Sequence, residues 1–231
     1  MRGSAAVLAV LLAVGGCKAG DQDGKAGEKG GGGTSGPAVS GSALSAVASL
    51  TVKGRAPKTG YERDEFGSSW VDTDDNGCGT RDDILKRDLK DVKFRDGHCL
   101  VASGTLTDDP YTGRDVRFVR GRNKVDIDHV VALSDAWQKG AMKWDRDKRL
   151  AFANDPLNLI AVDASANRRK GDGDAATWLP PNTAYRCDYV ARQVAVKKVY
   201  GLWVTGAEKA AMRRVLGGCP TLKLPARSGG R

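Results

Sequence analysis

Histidine is almost missing from this chain: His98 and His129 are the only two among 231 residues. Chemistry that needs an imidazole therefore has two addresses. No C-x-x-C pair occurs, so a four-sulfur zinc site lacks its usual spacing. No segment recurs at the periods of solenoids or propellers, which excludes a stacked array. Zinc-finger spacing, a helix-turn-helix signal and an aromatic RNA-binding motif are all absent, so no separate module for reading a base sequence is visible. The apolar run in "MRGSAAVLAVLLAVGG" is too short to span a bilayer.

That run follows the basic Arg2 and gives way to small residues before Cys17, the pattern of a secretory signal over residues 1–16. Val14-Gly15-Gly16-Cys17 resembles a bacterial lipobox, which predicts lipidation of Cys17 and an outward-facing membrane anchor without a transmembrane helix. Ordinary cleavage and secretion, with Cys17 an incidental thiol, is the alternative. Residues 18 to about 43 hold almost no large apolar side chain, so 17–60 reads as the lipidated cysteine and a flexible Gly-rich tether. One domain is expected over 61–220 and a disordered tail over 221–231.

Cys78, Cys99, Cys187 and Cys219 fall inside that domain. Export would place them where disulfides form, and four cysteines allow three pairings. Sequence neighbourhood favours Cys78–Cys99 and Cys187–Cys219, each stabilising by about 3 kcal/mol. The competing reading is a zinc site on Cys78, His98 and Cys99. The formal charge of +9 permits a polyanionic partner but does not choose among DNA, RNA, anionic lipid and wall polymers.

Periodicity gives an α+β reading. "TRDDILKRDLKDV" has helical spacing with Thr80 as a cap, and "HCLVASGTLTD" and "DVRFVRG" read as strands around the turn "DDPYTG". His98 is expected as an ordinary strand residue. "DTDDNG" suggests a calcium loop but has Asp83 where a bidentate glutamate belongs, so a structural turn is expected. From Lys124 to Leu133 a strand is predicted, with Val125, Ile127, His129, Val131 and Leu133 on one face and Asp126, Asp128, Val130 and Ala132 on the other. "SDAWQKGAMKW", capped by Ser134, and "DRDKRLAFAN" read as helices, "LNLIAVD" as a strand, and "ASANRRK" as a short helix failing at Gly171. Two amphipathic helices, "NTAYRCDYVARQVAVKKVYGLW" and "TGAEKAAMRRVLGG", close the domain.

"DIDHVVAL", "NDPLNLIAV" and "ASANRRKGD" in that order resemble the HNH endonuclease family, whose core is a ββα-metal finger. The order "DPYTGRDVRF", "DIDHVVALSDAW", "FANDPLNL", "NRRKGD", "TWLPPN" further resembles a secreted bacterial lipoprotein branch of that family, with a DxDH…N…N-x-x-K pattern. The resemblance implies a ββα-metal finger embedded in a single disulfide-stabilised domain with C-terminal helices. It also implies metal-dependent hydrolysis of phosphodiester bonds. His129 matches the general base, Asn158 the asparagine that ties the loop and orients it, and Asp128 and Asn167 the metal ligands. Asparagine in place of the last histidine makes this an HNN variant.

Physical chemistry agrees with those roles. A neutral imidazole can take a proton from water, and carboxylate and amide oxygens are hard donors that favour one Mg²⁺ or Mn²⁺. Lys170, at i+3 from Asn167, is expected to steady the phosphate, and Arg168, Arg169 and Arg117 to grip the backbone. Asp126 is left between partner of the site and surface carboxylate, and Trp178 is assigned to packing. The expected activity is an endonuclease of low sequence specificity acting on DNA, or on RNA, as a monomer without a nucleotide cofactor. Two other functions stay open: a non-catalytic surface lipoprotein binding extracellular DNA or another anionic polymer, and a structural module with a decayed metal site.

Overall fold

The computed structural model describes residues 40–122 and 124–226. The signal segment, Cys17, most of the tether and the end of the tail lie outside the described residues. The described chain is α+β and contains both disulfides, Cys78–Cys99 and Cys187–Cys219.

Helix α1 (Ala43–Ala48) comes first, capped by Ser42, whose side chain accepts from the Ser45 N–H. It corrects the tether assigned through residue 60: Ala43, Val47 and Leu50 are buried in one core cluster with Tyr189, Val194, Met212 and Leu216. The tail boundary moves too, because the Ala43 N–H bonds to the Leu222 carbonyl and Leu222 and Leu224 pack on the same cluster. A short 3-10 helix (Arg63–Phe66) then leads to α2 (Thr80–Asp88), in which Thr80 is the first helical residue and Gly79 the cap position.

The helix expected to run on through "KDV" instead stops at Leu89, and Lys90–Phe94 forms strand β1. Strands β2 (Val101–Leu106) and β3 (Val116–Val119) complete an antiparallel sheet in the order β1-β2-β3. His98 lies exposed in the turn before β2 rather than in a strand. The Asp72 run is a turn, its carboxylate accepting from the N–H groups of Asp74, Asn76 and Gly77.

Strand β4 (Val125–His129) pairs antiparallel with β5 (Leu159–Asp163), His129 opposite Leu159 and Asp128 opposite Ile160. The strand predicted to Leu133 ends four residues early, since the Val130 N–H turns to the Asn158 carbonyl and helix α3 (Leu133–Gln138) begins. Ser134 sits inside α3 and does not cap it; Asp145 caps α4 (Arg146–Ala153) by accepting from the Lys148 N–H. Val125, Ile127, Leu159 and Ala161 on one face of the β4–β5 pair bury against α2 and the three-stranded sheet. Ile160 and Val162 on the other face join the cluster beneath α5 (Ala164–Lys170), α6 (Arg186–Tyr200) and α7 (Gly206–Gly217).

A buried cluster of charge ties the later helices together. Lys139, fully buried, lies 2.6 Å from Asp135, 2.7 Å from Asp174 and 2.6 Å from Glu208. Lys197 on α6 lies 3.1 Å from Asp135 and 2.9 Å from Glu208, and Arg55 lies 3.0 Å from Asp135 and 2.8 Å from Asp174. Three cations thus face three carboxylates. Glu208 also completes a capping box with Thr205 at the start of α7.

Candidate active site

The two strands and α5 bring the motif residues to one place. Because β4 stops at His129, its last two side chains reach a common cleft of about 360 Å³ although they leave the strand in opposite directions. Asp126, Asp128, His129 and Asn167 border that cleft, together with Arg63, Trp70 and Arg81.

His129 is 7% exposed, and its Nε2 lies 2.8 Å from the Ala153 carbonyl at the end of α4. A carbonyl can only accept, so Nε2 carries the proton and Nδ1 of the neutral ring is left as an acceptor. Burial pushes the imidazole pKa down to about 3, with Arg63 and Lys170 pulling the same way and the Ala153 hydrogen bond opposing them. The ring is therefore neutral at physiological pH. Trp70 lies nearly parallel to it, at 17° and 6.4 Å between centroids.

Asn158 is fully buried and works on the backbone. Its Oδ1 accepts from the Val131 N–H at 2.9 Å, and its Nδ2 donates to the Val131 carbonyl at 3.3 Å. The amide thereby pins the loop that follows His129.

Asp128 is held from two sides. The Tyr111 hydroxyl donates to Oδ2, and Lys170 lies 3.0 Å from each carboxylate oxygen while also donating to the His129 carbonyl at 2.8 Å. Burial raises the Asp128 carboxyl above its ordinary range against the opposing pull of Lys170 and Tyr111. Desolvation, with the Asp128 charge adding to it, raises the Tyr111 phenol well above its usual value and keeps it a donor. Lys170 does not face the cleft as expected of a phosphate-steadying residue: its ammonium is withdrawn into the protein because Asp128, 42 residues earlier, needs a counter-charge. Lys170→Met is expected to leave that buried carboxylate without its counter-charge, the Tyr111 hydroxyl still donating to it, at a cost of about 3–5 kcal/mol, read as a lower urea midpoint.

Asp126 belongs to the cleft rather than the open surface; its Oδ2 accepts from Asn167 Nδ2 at 3.2 Å. The donors around this point are carboxylate and amide oxygens, the set a hard divalent ion takes. An ionised carboxylate has about four acceptor positions, so Asp126 and Asp128 both keep capacity, and the Asn167 amide can present its oxygen by turning over. The residues fit such an ion. The alternative zinc grouping does not: Cys78, His98 and Cys99 converge within 4.8 Å, but both sulfurs are spent in the disulfide.

Arg117, Arg168 and Arg169 lie elsewhere, lining a second groove of about 550 Å³ with Arg114 and Lys124. Trp178 packs edge-on to Tyr111 and Tyr189. Sequence reasoning missed Arg63, Arg81 and Tyr111 as neighbours of the site. Tyr111 stands in the turn "DDPYTG" and the two arginines in a polar stretch; no spacing links any of them to the motif.

Residues 79–215 match the family of GmrSD restriction endonucleases, C-terminal domain. An uncharacterized secreted protein of Arthroderma benhamiae is 42% identical over 179 residues, covering 77% of this chain and 84% of that protein. No solved structure matches.

Proposed function

Because the chain belongs to the family of the GmrSD restriction endonuclease C-terminal domain, an HNH-type nuclease family, we propose that it is an endonuclease that hydrolyses phosphodiester bonds of DNA, and of RNA where the strand fits, in the His129 cleft. The observation that carries the reading is the imidazole itself: buried, neutral, its Nε2 proton committed to the Ala153 carbonyl, and its Nδ1 left to accept at a cleft lined by Asp126, Asp128 and Asn167.

His129 Nδ1 takes a proton from water as the water oxygen bonds to phosphorus. The bond from phosphorus to the 3′-oxygen breaks, and that oxygen leaves with a proton from solvent, giving a 5′-phosphate and a 3′-hydroxyl. Asn158 keeps the base in place by fixing the loop after it. Lys170 and Tyr111 fix Asp128. Asp126, Asp128 and Asn167 would hold one Mg²⁺ or Mn²⁺, which supplies Lewis acidity to the scissile phosphate and the departing oxygen. Arg117, Arg168 and Arg169, with Arg114 and Lys124 beside them, grip neighbouring phosphates without reading sequence.

Residues 1–16 act as a secretory signal and Cys17 as a lipid attachment point. Two disulfides and a relative whose printed name is "secreted" support export. Supercoiled plasmid incubated with the protein and Mg²⁺ or Mn²⁺ is expected to become nicked and linear, and EDTA to stop it. Intact plasmid with every divalent ion tried would remove the nuclease reading; cleavage that persists in EDTA would remove the metal.

A further inference from the structure

Hydrolysis of a phosphodiester builds negative charge on the phosphoryl oxygens, and carboxylates and a neutral ring bring no side-chain cation to meet it beside the divalent ion they would hold. The ββα core here contributes Asp126, Asp128 and neutral His129 to the cleft, and its own lysine, Lys170, is turned inward. The cations lining the cleft come from outside the core: Arg63 on the short 3-10 helix and Arg81 in the first turn of α2. Among the described residues neither is engaged in a salt bridge, although Asp82 beside Arg81 is taken by Arg120.

Trp70 neighbours both Arg81 and the base. The Arg81 guanidinium lies 5.8 Å from its ring centroid, and the imidazole plane runs nearly parallel to the indole at 6.4 Å. The Trp70 backbone sits at φ 64°, a left-handed conformation that a bulky side chain avoids at a cost of about 1–3 kcal/mol. The surroundings enforce it. A Cβ on Gly79 would lie 2.7 Å from the Trp70 carbonyl oxygen, the Thr80 N–H bonds to the Val71 carbonyl at 3.3 Å, and Cys78 is tied to Cys99. Strain kept in place by so many neighbours is characteristic of functional positions.

We propose that Arg63 and Arg81 clamp the non-bridging oxygens of the scissile phosphate, with Trp70 as the positioning residue that holds Arg81 over the cleft. The clamp rests on the nuclease reading and adds to it the cationic half of the site, delivered by a segment outside the ββα finger.

Two measurements test it. In Mg²⁺, Arg81→Ala and Arg63→Ala are each expected to lower kcat about 10²-fold, Arg81→Lys to recover part of the loss, and the exposed Arg213→Ala on α7 to leave kcat unchanged. Trp70→Leu is expected to lower kcat and Trp70→Phe to restore most of it. In EDTA, where nothing is cut, binding of a fluorescein-labelled 12-nucleotide DNA strand is followed against salt. Each arginine variant is expected to flatten the logarithmic salt slope by about 0.7. Unchanged kcat and unchanged slope in both arginine variants, with His129→Ala inactive, overturn the clamp and leave the nuclease standing. If the wild-type protein cuts nothing, the nuclease reading falls and the EDTA series alone decides: a flattened slope supports an anion clamp, an unaltered one overturns it.

Discussion

His129→Ala is expected to lower the rate of phosphodiester cleavage by about 10³-fold, within the range that a positioned proton acceptor supplies. Single-turnover cleavage of plasmid in saturating Mg²⁺, with circular dichroism to check folding, measures it. The prediction is specific because the ring has one free acceptor: Nε2 is committed to the Ala153 carbonyl, so only Nδ1 can receive a proton. Burial holds the imidazole at about 3 instead of 6.5, and the rate should therefore show no loss of activity centred near pH 6.5. The same shift has a cost in stability. Above pH 6.5 the ring is neutral folded or unfolded. Below it the unfolded chain takes up a proton that the native site refuses, so stability falls with pH by up to about 1.4 kcal/mol per unit until the native ring itself titrates. Urea unfolding at pH 7 and pH 5 should show a larger acid-side loss for the wild type than for His129→Ala. Equal losses would mean that the native imidazole titrates normally.

The second large effect lies away from the cleft. Lys139→Met is expected to destabilise the protein by about 3–5 kcal/mol, because it removes one fully buried ammonium from between Asp135, Asp174 and Glu208. For a domain of this size that lowers the melting temperature by on the order of 10 °C. Glu208→Leu alone should cost a similar amount by leaving Lys139 and Lys197 short of a partner. The double variant should lose less than the sum, since the two changes remove opposite charges that face each other. Strict additivity would show that the pair does not interact. Acid should find the same weakness. Lys197 and Lys139 hold the Asp135 carboxyl below the ordinary carboxylate range despite its burial, and Lys139 does the same for Asp174. The contribution of both is complete above their unfolded value of about 3.9 and is lost as pH falls further.

Legibility in the sequence followed the range of the interactions. Strand β5, helix α5 and its stop at Gly171 came from local period and punctuation, as did α6 and α7. So did the α+β class. The roles given to His129, Asn158 and Asn167 came from the resemblance to the HNH family, and a strand, a return strand and a helix are what brings those positions near one another. What failed was set by partners distant in sequence. Lys170 reads like Arg168 and Arg169 in the triplet "RRK", yet it faces inward because Asp128 is there to meet it. Lys197 reads as one more charge on an amphipathic helix, and its burial depends on Asp135 and Glu208. Strand β1 was hidden because "KDVKF" continues a helical pattern and becomes a strand only by pairing with β2. The Leu133 end of the predicted strand failed for a similar reason: nothing in "HVVAL" announces that Asn158 will draw the backbone away.

Helix α1 has a practical consequence for anyone trimming the gene. Cutting at Tyr61, where the composition first looks like a domain, would delete Ala43, Val47 and Leu50 and open a greasy trench alongside α6 and α7. The shortened polypeptide would also lose Arg55 from the ring of buried charge. Material of that length is expected in the insoluble pellet. A version starting just ahead of Ser42 retains α1 and its cap and is expected to stay in the supernatant.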